Sequence, residues 1–403
     1  MSNDRLGVAV VGAGMAGRSH AAGYAAARGI EGPEIPDVDL VAIADVNAEI
    51  GGRTARRFGY SRAETSWEAV AEADDVDVVS VVVANHLHRP VVEGLLAAGK
   101  HVLCEKPMAP GIADAEAMVA AADAAPTETA VGFTFRRSPA ISAVRDLVGE
   151  KGIGRPLHFN GHYWCDYGAD PRGPMSWRYQ GPAGSGSLAD VGSHLMDLAE
   201  FVCGPVASVS GAVLATVIGE RALPLGAAVG HAAAELSDTY EPVENDDIAT
   251  FTCRFASGAA GTFSVSRVAY GHANALGFEL FADAGAATYD LERAAQFTVA
   301  DGSAPHGTSG YRTVLAGPDH PYLAGGLPMD FPGVGFGQND LFTWQARAFL
   351  EQVAGVPAGS GLPRTATFAE GLRNLRLLAA VVESARNGGA EIAVPGTARK
   401  DQP

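Results

Sequence analysis

The 403-residue sequence predicts an α/β protein in two parts: a doubly wound parallel sheet, then an α+β half built on a large, mostly antiparallel open sheet. Three observations predict it. The first third alternates short β-branched apolar runs with helical stretches rich in Ala, Arg and Glu, which is the pattern of right-handed βαβ crossovers. A glycine-rich turn follows the first strand directly. Further along, the candidate strands lengthen and short turns join them, which favours antiparallel pairing.

In chain order, residues 7–11, 40–44, 76–83 and 101–104 are nearly continuous in apolar character, as strands buried on both faces are. Residues 15–28, 48–58 and 89–98 read as the helices between them, 129–135 as a sixth strand and 138–150 as a helix. The domain boundary is placed near Gly132, giving a nucleotide-binding domain over 1–132 and an α+β domain for substrate binding and oligomerisation over 133–403. In the second domain, residues 157–166, 207–217, 248–255, 260–268 and 278–282 read as strands and 187–203 as a helix. Helices over 339–353 and 366–386 close the chain, the last of them able to pack back on the first domain. The Gly/Pro-rich insertions 219–245 and 302–337 are too long for passive connections and read as lids, oligomer arms or disordered segments.

With 46 acidic against 29 basic residues, the net charge of −17 offers no basic excess for phosphates, so nucleic acid and anionic membranes are excluded as partners. A dinucleotide is not excluded, because backbone amides at a helix terminus can hold its pyrophosphate. The four cysteines lie far apart with no C-x-x-C pair, which suits a reducing compartment. No H-E-x-x-H or Cys/His cluster exists, so no metal is expected. The N-terminus lacks the features of a signal peptide, and the longest apolar run has strand length, so a cytoplasmic chain is expected. An exposed sheet face in the second domain would make a homodimer or homotetramer.

Gly12-Ala13-Gly14-Met15-Ala16-Gly17 is a G-x-G-x-x-G between the first strand and the first helix. Its glycines allow a tight turn, close approach to a pyrophosphate and close helix–strand packing, the fingerprint of a Rossmann domain. Asp45 ends the second strand, 28 residues beyond Gly17, where about 20 is usual; the proline-containing loop 29–37 supplies the excess. A carboxylate there receives the adenosine ribose and repels a 2′-phosphate, favouring NAD over NADP, although an Asp in this place also serves as a helix N-cap.

Cys104-Glu105-Lys106-Pro107 leaves another strand at its carboxyl end, where doubly wound sheets bind ligands. The bland alternative is a surface Glu-Lys pair. Farther on, Leu188, Val191, Leu195, Leu198 and Val202 mark the buried stripe of a helix on which Asp190 and His194 stand at i and i+4. An imidazole beside a carboxylate is a general acid/base with a fixed tautomer; an ordinary helical ion pair gives the same spacing.

These four motifs, in this order, resemble the glucose–fructose oxidoreductase/inositol dehydrogenase (Gfo/Idh/MocA) family over nearly the whole chain. The resemblance implies NAD as cofactor and Lys106, Asp190 and His194 as a catalytic trio. It implies cofactor contacts from Gly12, Gly14, Met15, Ala16, Asp45, from the turn holding Ala84, Asn85 and His88, and from Glu105, Lys106 and Arg136. Phe135-Arg136-Arg137-Ser138-Pro139, Asp166 with Ser176-Trp177-Arg178, and Gly317-Pro318-Asp319-His320-Pro321-Tyr322 look most like the levoglucosan dehydrogenase and pyranoside 3-dehydrogenase group. That implies oxidation of a secondary ring hydroxyl of a pyranose-type sugar, anhydrosugar, glycoside or polyol. Trp164, Asp166, Trp177, Arg178, His320 and Tyr322 are then candidates to line its pocket. A redox-neutral enzyme with bound NAD and a transient 3-keto intermediate, or a non-catalytic NAD sensor, are the alternatives.

Overall fold

The computed structural model describes residues 5–182, 185–226, 235–305, 307–329, 331 and 333–396. They form two compact units, Met1–Pro139 with Gly317–Leu375, and Ala140–Ala316 with Arg376–Pro403.

The first unit runs β1 (Arg5–Val11), α1 (Met15–Ala27), β2 (Asp37–Ala44), α2 (Ala48–Phe58), β3 (Arg62–Glu64), α3 (Trp67–Ala71), β4 (Val78–Val81), α4 (His88–Ala97), β5 (His101–Cys104), α5 (Ile112–Ala124) and β6 (Thr129–Val131). Its six strands are all parallel, in the order β3-β2-β1-β4-β5-β6. Strand order therefore reverses between β1 and β4, which opens a ligand crevice outside their carboxyl ends. The apolar runs form strands because helices cover both faces, and β1 and β4 are buried almost throughout. The sixth strand stops at Val131, short of the expected Phe135. The amides of Phe133 and Thr134 turn back to the carbonyls of Val131 and Gly132, and a 3-10 turn follows, so Phe133 and Phe135 are buried without pairing in the sheet.

The second unit carries α6 (Pro139–Asp146), β7 (Pro156–Trp164), α7 (Ser193–Cys203), β8 (Val206–Ala215), β9 (Glu220–Pro224), β10 (Leu236–Pro242), β11 (Ile248–Phe255), β12 (Ala260–Ser266), β13 (Ala275–Ala282), β14 (Gly285–Asp290), β15 (Gln296–Asp301) and β16 (Tyr311–Leu315). After α8 (Gln338–Val353) and α9 (Phe368–Arg386), β17 (Ile392–Ala393) completes a nine-stranded sheet of order β16-β15-β14-β13-β7-β12-β11-β8-β17. All its neighbours pair antiparallel except β7 and β12. Insertion 219–245 is in part an antiparallel hairpin of β9 and β10, and insertion 302–337 supplies β16; residues 227–234, 306, 330 and 332 lie outside those described.

Strand β7 sorts its side chains by the two-residue period. Phe159 and Tyr163 face α7, and Gly161 makes room there, since a Cβ would lie 2.9 Å from the Leu195 Cδ1. Asn160, His162 and Trp164 face the other way, where Asn160 joins Glu279 and Thr262, and Thr288 joins Thr298. That face mixes these polar side chains with stacked rings, His162 on Trp164 and His158 on Phe281.

Residues 317–375 return to the first unit. Ala346, Phe349 and Leu350 of α8 share a core with Tyr24 and Ala27 of α1, and Gly23 permits the approach because a Cβ there would meet the Phe342 carbonyl at 2.7 Å. A buried Arg347–Glu351 pair reaches the Pro33 carbonyl and the Leu362 amide, tying down the loop that lengthens the path to Asp45. Among the described residues no helix is long and apolar enough to cross a membrane.

Candidate active site

The three glycines of the first turn have different neighbours. A Cβ on Gly12, whose φ is +101°, would lie 2.1 Å from the Val82 carbonyl oxygen, and one on Gly17 would lie 1.9 Å from the Gly12 oxygen. A Cβ on Gly14 would meet no protein atom within 4 Å. Gly12 and Gly17 serve the protein's own packing, whereas the space over Gly14 is open, a cradle fit for a pyrophosphate. The first turn of α1 holds no acidic residue and no side-chain cap, so its amides remain available to an anion. Met15 and Ala16 stand in that turn, Met15 largely exposed.

Asp45 is locked beside the same turn. Its Oδ2 accepts the Ala13 N–H at 2.8 Å and its Oδ1 the Asn47 N–H at 2.8 Å. Each oxygen keeps lone-pair capacity for a ribose hydroxyl. The N-cap of α2 is Asn47, whose Oδ1 accepts from Glu49 and Ile50, which leaves Asp45 out of that role.

Ala84 and Asn85 lie half-buried at the exit of β4. His88 does not present its ring with them: it is 1% exposed, with Nδ1 and Nε2 each 3.1 Å from a backbone carbonyl, of Met108 and of Val83. Burial holds its pKa below the ordinary imidazole value although both carbonyls favour the charged form. Its contribution is to hold the β4 exit in place. At the exit of β5, Glu105 is buried, with Oε2 accepting the Lys106 N–H at 2.9 Å, and Lys106 is half-buried. Arg136 pairs with Glu370 at 2.5 Å. Burial pushes the Glu370 carboxyl up, but Arg136 and the Thr367 donors outweigh it and hold the carboxyl below its usual value.

In the second unit, Asp246 starts the helix that bears Asp190 and His194. Its Oδ2 accepts from the Ser187 hydroxyl and the Leu188 amide, both at 2.8 Å. Gly186 is required there, because a Cβ would lie 2.3 Å from the Asp246 carbonyl oxygen. The helix opens with a π-turn over Leu188–Gly192 and continues as α7, so the expected helix is one continuous element with a widened first turn. Asp190 lies in the widened turn and His194 in the α-helical part. Tyr167 donates its hydroxyl to Asp190 Oδ2 at 2.8 Å, and the Tyr163 ring centroid lies 6.2 Å from that of His194. Burial first, and the Asp190 charge second, push the Tyr167 phenol well above its ordinary pKa, so it stays a donor.

Of the six sugar-pocket candidates, four belong to the second unit and two to the first. Asp166 precedes Tyr167, is half-buried, and its carboxylate has no hydrogen-bond or ion-pair partner among the described residues. Trp177 is exposed, with the Arg178 guanidinium 4.5 Å from its ring centroid. Trp164 lies on the sheet face opposite Tyr163 and bonds Ser264 through Nε1 at 3.0 Å. His320 and Tyr322 belong to the first unit, where Tyr322 is 1% exposed and accepts from Arg137 Nη1 at 3.1 Å. A buried ring bonded in this way has no surface for a sugar. Sequence reasoning passed over Tyr167 and Asp246. Their partners are 23 and 59 residues away, so no local spacing signals them.

A model described as "Oxidoreductase family, NAD-binding Rossmann fold" matches residues 6–133, and one described as "GFO/IDH/MocA C-terminal domain" matches 141–288. A levoglucosan dehydrogenase of Pseudarthrobacter phenanthrenivorans is 35% identical over 94% of this chain and 96% of its own length. A D-apiose dehydrogenase of Paraburkholderia graminis is 31% identical over about half of each chain (51%). A solved levoglucosan dehydrogenase in complex with NADH and levoglucosan superposes with a TM-score of 0.86 at 33% identity, covering 97% of this chain and 100% of that one.

Proposed function

The chain belongs to the Gfo/Idh/MocA family of oxidoreductases with an NAD-binding Rossmann fold, and from that premise we propose that it oxidises a secondary ring hydroxyl of a pyranose-type sugar, anhydrosugar, glycoside or related polyol. The observation that carries the reading is the likeness over almost the full length of both chains to a levoglucosan dehydrogenase. The turn at Gly14 and the fixed Asp45 carboxylate suit NAD, and a carboxylate beside the ribose disfavours the 2′-phosphate of NADP.

NAD, when bound, supplies the acceptor for the hydrogen that leaves the carbinol carbon. His194 takes the hydroxyl proton on an imidazole nitrogen. Asp190, one oxygen held by Tyr167, places a negative charge one helical turn earlier and stabilises the imidazolium. Lys106 donates a hydrogen bond to the substrate oxygen as it gains carbonyl character. Asp166 and Arg178 are the polar groups assigned to read the remaining hydroxyls, with Trp177 offering a ring to the C–H face. Trp164 and Tyr322 are left out, since the Trp164 side chain lies on the other sheet face and the Tyr322 ring is buried; His320 stays a candidate along with Asp166 and Arg178.

The test is NAD reduction followed spectrophotometrically across anhydrosugars, glycosides, aldoses and inositols. NADH should accumulate with a pyranose-type member. His194→Ala should lower turnover by ~10²–10⁴-fold, the range for general acid/base help, at unchanged NADH affinity. NADH binding with no turnover on the panel overturns the reading. Substrate conversion without net NADH replaces it with redox-neutral chemistry.

A further inference from the structure

A buried line of hydrogen bonds runs through the first unit to the turn that carries Lys106. Tyr24 Oη lies 3.0 Å from Ser80 Oγ, Ser80 Oγ lies 3.1 Å from His20 Nδ1, and His20 Nε2 lies 2.9 Å from Glu105 Oε1. The other oxygen of Glu105 accepts the Lys106 amide hydrogen at 2.9 Å. Tyr24 and Ser80 are 0% exposed, His20 3% and Glu105 7%. His20 and Tyr24 stand one helical turn apart on α1, so both reach the same side of the sheet.

The line requires a hydrogen on Nε2 of His20, facing the Glu105 carboxylate. Burial keeps the Tyr24 phenol un-ionised, so it donates to Ser80. Ser80 meets Nδ1 at hydrogen-bond distance, and His20 donates its Nε2–H to the carboxylate. A ring without that hydrogen would set an imidazole lone pair against the Glu105 carboxylate. Gly132 makes room for this carboxylate, because a Cβ there would lie 2.5 Å from its Oε1.

We propose that His20 is a positioning residue for the Glu-Lys-Pro turn. Its Nε2–H fixes the Glu105 carboxylate in the one rotamer that receives the Lys106 amide, and so sets the direction in which Glu105 and Lys106 meet the nicotinamide half of the cofactor. The inference rests on reading the carboxyl edge of this sheet as the cofactor site.

Titration of NADH fluorescence tests it, on variants whose thermal melts show them folded, and the readout needs no sugar. His20→Gln, whose amide nitrogen reaches the place of Nε2, should bind NADH within about threefold of the parent. His20→Asn, whose amide reaches Ser80 but not Glu105, should bind about tenfold more weakly, the effect of one lost hydrogen bond to a charged group. A folded Asn variant that binds like the parent overturns the proposal, as does an equal loss in the Gln variant. A role in stability alone would lower both melts and leave affinity untouched. Where the Asn variant does not fold, Ser80→Ala frees the imidazole tautomer and should weaken binding about threefold; parental affinity there also overturns the proposal. Turnover measured alongside keeps the two readings apart, because intact NADH binding with no sugar oxidised removes the sugar assignment and leaves the role of His20 to the titration.

Discussion

The hydroxyl of Tyr167 lies 2.8 Å from Oδ2 of Asp190, joining the loop after β7 to the widened first turn of the helix that carries His194. Asp190 thereby has a donor from outside its own helix, which helps hold its carboxylate in place. Tyr167→Phe removes that donor and little else. Turnover should fall about tenfold, the effect of one hydrogen bond to a charged group, while the melting temperature moves little. Steady-state kinetics on the sugar that the parent oxidises checks it, and a parental kcat takes Tyr167 out of the site.

The glycine turn separates folding from binding. Gly14→Ala adds a methyl where no protein atom lies within 4 Å, so the variant should fold normally and bind NADH poorly. Gly17→Ala drives a methyl to 1.9 Å from the Gly12 oxygen, so it should cost stability first. Paired thermal melts and NADH titrations distinguish them. Normal NADH affinity in Gly14→Ala would place the pyrophosphate elsewhere.

How much was legible follows from where each signal lies in the chain. Strand 101–104 and helix 48–58 have in the structure the bounds that apolar runs and flanking turns assign them. The three-residue β3, Arg62–Glu64, has no apolar pattern and was invisible. Residues 133–135 were drawn into β6 because an apolar run does not say whether its burial comes from a sheet or from a 3-10 turn. At the candidate site, the glycine turn, Lys106, Asp190 and His194 could be proposed because each belongs to a spacing of a few residues, and Asp45 because it ends the second strand. His20 and Glu105, 85 residues apart, meet only once β4 and β5 are laid side by side. Tyr322 looked like a sugar contact because an aromatic in a Gly/Pro-rich stretch gives no sign of an arginine 185 residues earlier.

Asp45 should decide the choice between NAD and NADP. Both its oxygens are anchored by backbone amides, so its charge is held beside the glycine turn. Asp45→Asn keeps one acceptor and removes the charge that repels a 2′-phosphate. The ratio of kcat/KM for NADP over NAD should rise about tenfold or more, equivalent to about 1.4 kcal/mol of relieved repulsion. An unchanged ratio would mean that the ribose lies away from Asp45.

Acid should destabilise the fold through its buried histidines. Burial holds the His88 ring below the ordinary imidazole value of about 6.5 even though it faces two carbonyls, and burial lowers His101 and His162 in the same sense. Above that value the ring is neutral in both folded and unfolded chains. As the pH falls below it, the unfolded chain takes up a proton that the folded ring refuses, so stability is lost progressively down to the folded pKa. Urea unfolding should therefore show a midpoint that drops from about pH 7.5 to about pH 5, and the drop should be smaller in His88→Gln. The glutamine side chain still offers a donor at the Nε2 position toward the Val83 carbonyl but cannot titrate, so it tests the charge separately from the contact. Equal drops in parent and variant would mean that the folded ring takes up its proton as readily as the unfolded one, and the acid lability would then belong to other groups.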